Sequence, residues 1–149
     1  MVASEDPVDG LCDFVDRSPT PWHAARNAAD MLVAEGFDEI PATADWSDRC
    51  RRGVVVRGGS LIAWSGAPGA DSTPMRFIGA HTDSPGLRLR PRPDLDRAAT
   101  RQLAVEVYGS PLLNSWLDRD LTVAGRVMVR DLMRPQAALC GYSTIAVPC

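Results

Sequence analysis

Apolar residues recur at helical spacing through the first forty positions. Val8, Leu11, Cys12 and Val15 fall at i, i+3, i+4 and i+7, one face of a helix running from Pro7 to Asp16. Ser18-Pro19-Thr20-Pro21 breaks it. Thr20 is placed to N-cap a second helix, with Pro21 at the first helical position, where a missing N–H costs nothing. Trp22, Ala25, Ala29, Leu32 and Val33 line one side of this helix, and Gly36 supplies a left-handed C-cap. Phe37 and Ile40 then return to the core.

From Arg51 the period changes. Gly53 to Arg57 is β-branched, Gly58-Gly59 is a hairpin-type turn, and Ser60 to Trp64 is its partner strand. A Gly/Pro/Ser-rich loop covers Ser65 to Pro74, and Met75 to Ala80 is a short apolar strand. Leu87 to Arg90 and Leu103 to Tyr108 alternate, as half-buried strands do. Leu121 to Val129 is a further strand, with Gly125 marking a bulge or a close approach. Val54 to Val56, Leu61 to Trp64 and Phe77 to Ala80 are apolar on successive residues and call for burial on both faces. Two helices followed by a series of strands, without an internal repeat, give a mixed α/β fold.

The chain has 149 residues, 45% of them hydrophobic and 23% charged, enough for one domain with a real core. Its formal net charge of −3 speaks against a nucleic-acid binder. All 16 basic residues are Arg, which reflects coding bias more than chemistry. No apolar run approaches the roughly 20 residues of a membrane span, and Met1 to Gly10 lacks the order of a signal peptide, so a cytoplasmic protein is expected. Cys12, Cys50, Cys140 and Cys149 form no CxxC pair and read as reduced thiols, with a Cys140–Cys149 bridge open only to a tail that meets oxidant.

The stretch that carries chemistry is Arg76-Phe77-Ile78-Gly79-Ala80-His81-Thr82-Asp83-Ser84-Pro85. An apolar segment ends in small residues, then His, then Asp two positions on, then a turn; α/β enzymes place ligands at such strand ends. A neutral imidazole is a good zinc ligand, and its second ring nitrogen needs an acceptor, which Asp83 is placed to supply. Spacing alone leaves a plainer reading open: a strand-end His followed by an Asp-Ser-Pro turn.

Four blocks occur in order: Ser18-Pro-Thr-Pro-Trp-His23, Gly79-Ala-His-Thr-Asp-Ser-Pro85, Val105-Glu-Val-Tyr-Gly109 and Trp116-Leu-Asp-Arg-Asp-Leu-Thr-Val-Ala-Gly-Arg-Val127. Together they resemble the aspartyl aminopeptidases, metallopeptidase family eighteen, over about Pro7 to Asp131. The resemblance implies the N-terminal part of a zinc-aminopeptidase catalytic domain, incomplete in a chain much shorter than family members. It implies an enzyme that removes N-terminal Asp or Glu from peptides with two zinc ions. His81 maps onto a zinc ligand and Asp83 onto the residue that orients it, while the remaining ligands and a Glu general base map beyond this chain. A second domain, which supports a tetrahedral dodecamer, is inserted near Val127. Residues 1–131 are thus expected to be catalytic-domain sequence. Residues 132–149 do not continue the family pattern, as after a frameshift or premature stop, and are expected to be poorly ordered.

Other candidates have plainer readings. His23 lies in the first turn of a helix and is taken as structural. Asp118 and Asp120 flank Arg119 and are read as a local salt-bridged or turn cluster before a metal pair. Arg88, Arg90, Arg92, Arg97 and Arg101 are read as a solvated strand edge and loop before a clamp for acidic substrate. The four Trp residues are core or interface anchors. With two His in the chain, an isolated fragment is expected to be inactive; the alternative function is a non-catalytic interaction module, or a decaying gene product, that associates with a full-length homologue.

Overall fold

In the computed structural model the described residues are 6–44, 51–66, 76–130 and 135–145, with backbone alone over 129–130 and 135–145. They divide into two compact units, one within Met1–Asp83 and Ala124–Tyr142, the other within Ser84–Val123 and Ser143–Cys149.

Both helices form where the periodicity puts them. Helix α1 spans Pro7–Asp16; Asp6 caps it, its Oδ1 accepting from the Val8 N–H at 2.8 Å, with Pro7 in the first turn. Helix α2 spans Pro21–Ala34 with Thr20 as N-cap. Its far end closes as a Schellman motif: Gly36 adopts φ +85°, the Gly36 N–H donates to Val33 O at 3.0 Å and the Phe37 N–H to Leu32 O at 3.1 Å. Asn27 ties the connection between the helices to α2, its Nδ2 donating to Arg17 O at 2.8 Å and Ser18 Oγ at 3.1 Å.

Strands β1 (Asp38–Glu39), β2 (Arg52–Arg57) and β3 (Ser60–Ser65) make one sheet in that order, β1 parallel and β3 antiparallel to β2. Arg57 pairs with Ser60 around the Gly58-Gly59 turn, where Gly58 takes φ +62°. Consecutive residues Val54 and Val55 are both buried, so β2 is covered on both faces, and the buried Ala24, Ala25 and Ala29 of α2 complete the core. The small alanines let helix and sheet approach closely. Each buried valine contributes about 1.5–3 kcal/mol. At the register pair Gly53–Trp64 the indole lies where a Cβ on Gly53 would sit, which reserves that position for glycine.

In the second unit β4 (Gly86–Arg97) and β5 (Thr100–Tyr108) form an antiparallel ribbon, followed by a 3-10 turn at Leu113–Ser115. Strands β6 (Leu121–Arg130) and β7 (Pro135–Ile145) pair with each other.

Several expectations change. Residues 76–80 form no strand, and Phe77 and Ile78 are 85% and 98% exposed; Met75 lies outside the described residues. A strand exists only through a partner's ladder, and among the described residues nothing pairs with this one. Double-sided burial holds for β2 but fails on β3, where Ile62 is exposed. Strand β4 runs past Pro91 and Pro93, further than alternation indicated, because a register shift between Leu89 and Asp94 absorbs the residues that lack an N–H. Among the described residues a Cβ on Gly125 would meet nothing within 4 Å, so no close approach is seen there. The tail read as poorly ordered carries β7, for which the edge of β6 supplies the partner. Most of the Gly/Pro/Ser-rich loop (67–74) and the side chains of Cys50, Cys140 and Cys149 lie outside the described residues. Cys12 is an exposed thiol. Among the described residues no helix is long and apolar enough to cross a membrane.

Candidate metal centre

His81 and Asp83 lie in the segment without regular structure that precedes β4. The His81 Nδ1 lies 2.5 Å from the Asp83 carbonyl oxygen and 3.6 Å from its Oδ1. A carbonyl only accepts, so Nδ1 carries the proton, and in the neutral ring the lone pair is then on Nε2. The His81 side chain is 79% exposed, which leaves that lone pair open to a ligand. The Asp83 carbonyl thus fixes the tautomer, as an acceptor on the second ring nitrogen does when it prepares an imidazole for a metal, and the Asp83 carboxylate stands nearby. Between them Thr82 turns the other way, its Oγ1 donating to Gly59 O at 2.6 Å in the β2–β3 turn.

The other candidates do not join this pair into a cluster. Among the described residues no three His, Cys, Asp or Glu converge as a metal cage. The donor set therefore fits zinc as a single ligand, His81, with the rest of the coordination sphere to be supplied from elsewhere. His23 serves the N-terminus of α2: the Thr20 Oγ1 accepts from the His23 N–H at 3.4 Å and lies 2.7 Å from its ring Nδ1. Asp118 takes a left-handed backbone, φ 54°, and the neighbouring Arg119 donates to Ser115 O at 3.2 Å, both features of a turn. In the basic run Arg88 stacks on Tyr108 at 3.2 Å from the ring centre, and Arg90 lies 3.5 Å from Glu106 across the ribbon. These are cross-strand contacts of an exposed hairpin. Of the tryptophans, Trp22 carries the Arg126 guanidinium at 5.6 Å over its ring.

Sequence reasoning missed the Thr82–Gly59 bond and an ion-pair cluster in the middle of α2. Arg26 is bidentate to Glu39 at 2.7 and 2.8 Å, joining the helix to β1, and also reaches Asp30. The hydrogen bonds that Arg26 donates hold the Glu39 carboxyl below its ordinary range, and the same bonds raise the guanidinium further still. No spacing rule relates residues 26 and 39, so nothing local announces the pair.

The family model described as aminopeptidase I zinc metalloprotease (M18) matches residues 14–140. The chain belongs to the M18 aminopeptidase family. It is 54% identical over 124 residues to a probable M18 family aminopeptidase 2 of Streptomyces avermitilis, covering 83% of this chain and 29% of that protein. The Mycobacterium tuberculosis protein of the same description is 44% identical over 123 residues, 82% of this chain and 28% of that one. Among solved structures, Ape4 in its complex with Nbr1 superposes with a TM-score of 0.77 at 36% identity, over 89% of this chain and 26% of that one. Ape1 of Chaetomium thermophilum gives 0.73 at 28% identity, over 94% and 33%. The yeast Ape1 dodecamer shares the fold, with a TM-score of 0.73.

As an M18 chain it is a partial domain, spanning about 29% of the length of the curated relatives it matches. The M18 match reaches residue 140, nine positions into the tail left unaligned on sequence.

Proposed function

We propose that this chain is part of the catalytic domain of an aminopeptidase that uses two zinc ions to remove N-terminal Asp or Glu from peptides. In this reading His81 ligates zinc through Nε2. Asp83 touches neither peptide nor metal; it holds the ring by accepting the Nδ1 proton. Zinc in such a site activates water and polarises the scissile carbonyl. This chain's own part is to present one neutral imidazole, in a fixed tautomer, at the end of the apolar segment. The observation that carries the reading is the Asp83 carbonyl oxygen 2.5 Å from His81 Nδ1, with the Asp83 carboxylate 3.6 Å away. Membership of a zinc metalloprotease family supports it. The specificity for acidic residues, the cytoplasmic location and assembly into a dodecamer rest on the resemblance of the four sequence blocks.

One imidazole falls short of a four-coordinate zinc site. The isolated 149-residue chain should therefore show no turnover of an N-terminal Asp or Glu chromogenic substrate, even with added zinc. A chimera tests the positive half. The corresponding segment of the Streptomyces avermitilis relative is replaced by this chain's matching 124 residues. The chimera should hydrolyse the acidic substrates, and His81→Ala within it should lower kcat/KM by at least about a hundredfold, as loss of a metal ligand does. A folded chimera indifferent to His81→Ala would remove His81 from the site.

A further inference from the structure

Thr82 lies between His81 and Asp83, and the Ser18–His23 block opens α2. The structure joins them through one backbone position. Thr82 Oγ1 donates to Gly59 O at 2.6 Å, across 23 residues of sequence. Gly59 in turn is seated on the first turn of α2. A Cβ built on it would lie 2.8 Å from Pro21 Cβ, 3.3 Å from the Pro21 carbonyl carbon and 3.5 Å from the Trp22 nitrogen. Pro21 has its place fixed by Thr20, the cap whose hydroxyl pairs with His23. Helix start, hairpin turn and His81 loop are therefore linked in series, all inside one compact unit.

The link matters because of the backbone that leads into the loop. Residues 76–80 make no ladder, so the backbone arriving at His81 receives no register from that side. The His81–Asp83 contacts orient the ring within the loop, across only two residues of sequence. A carbonyl acceptor requires a donor, which Thr or Ser provides and Val, of the same shape, does not. We propose that Thr82 is a positioning residue that anchors the metal-ligating His81 loop to the α2 platform through the Gly59 carbonyl. The proposal rests on the reading of His81 as a metal ligand.

The test uses the chimera described above, which carries the remaining ligands, and two readouts. Amide hydrogen exchange is followed in residues 80–83 without metal, with α2 (Pro21–Ala34) as internal control, and zinc affinity is measured by calorimetry. Thr82→Val should speed exchange in the loop and weaken zinc binding, each roughly three- to tenfold, the effect of one hydrogen bond. Exchange in α2 should stay unchanged. Thr82→Ser should restore both readouts, and Gly59→Ala, which forces the turn away from Pro21, should loosen the loop as Thr82→Val does. Unchanged loop exchange in Thr82→Val, failure of Ser to rescue, or a parallel rise in α2 exchange overturns the tether. Zinc affinity indifferent to His81→Ala instead sinks the ligand reading, and the positioning role with it.

Discussion

Ala98 and Ala99 adopt φ 51° and 59° at the tip of the β4–β5 ribbon, closing a two-residue turn between Arg97 and Thr100. Two consecutive left-handed residues are the requirement of a type I′ hairpin, which Asn-Gly meets and alanine resists, at about 1–2 kcal/mol per residue. Ala98→Asn with Ala99→Gly should therefore stabilise the ribbon by about 1 kcal/mol, read as an upward shift of the midpoint in urea with unchanged slope. No gain, or a loss, would mean that the turn differs from the one described. The strands were legible in part, as Leu87 to Arg90 and Leu103 to Tyr108, but the turn was not, because Arg-Ala-Ala-Thr carries no turn residue and Pro91 and Pro93 look like strand breakers. By contrast Thr20, Pro21, Gly36 and Gly58 announced their positions, since each has a backbone preference that acts locally.

At the scale of elements, helices α1 and α2 and the β2–β3 hairpin followed from periodicity, while 76–80 did not become the strand its composition indicated. The difference is physical: helix bonds close within the segment, whereas a strand depends on a partner that its own residues do not encode. The Arg26–Glu39 pair that docks α2 on β1 is also non-local, and it yields a pH prediction. Hydrogen bonds from Arg26 depress the Glu39 pKa, so the pair's contribution is present above the ordinary Glu value of about 4.3 and is lost as pH falls through the lower folded value. Both side chains are more than a third exposed, so screening limits the contribution to roughly 0.5–1 kcal/mol even for this bidentate geometry. Glu39→Gln should thus destabilise by that amount at pH 7, with the difference vanishing once pH falls well below the ordinary Glu range, in parallel urea titrations. An equal difference at both pH values would assign the loss to packing instead of charge.

For the whole molecule, the family was legible because four separated motifs kept their order, but the site was legible only as His81 and Asp83. The anchor at Gly59 escaped because a backbone carbonyl has no sequence signature. Apolar surface is left open on several elements, among them Val8, Leu11 and Val15 on α1 and Phe77 and Ile78 before the site. At about 25 cal/mol per Å², a few hundred Å² of such surface amounts to several kcal/mol of burial not realised. The 149-residue chain should accordingly associate at micromolar concentration and melt broadly; a monodisperse monomer by size exclusion with a sharp, high-temperature transition would contradict this. The central claim is that His81, held by Asp83, is one ligand of a zinc site that needs further ligands. Calorimetric titration of the chain with zinc at neutral pH, beside its His81→Ala variant, tests it most directly. The account predicts weak binding that His81→Ala abolishes; tight stoichiometric binding, or binding untouched by the substitution, would contradict it.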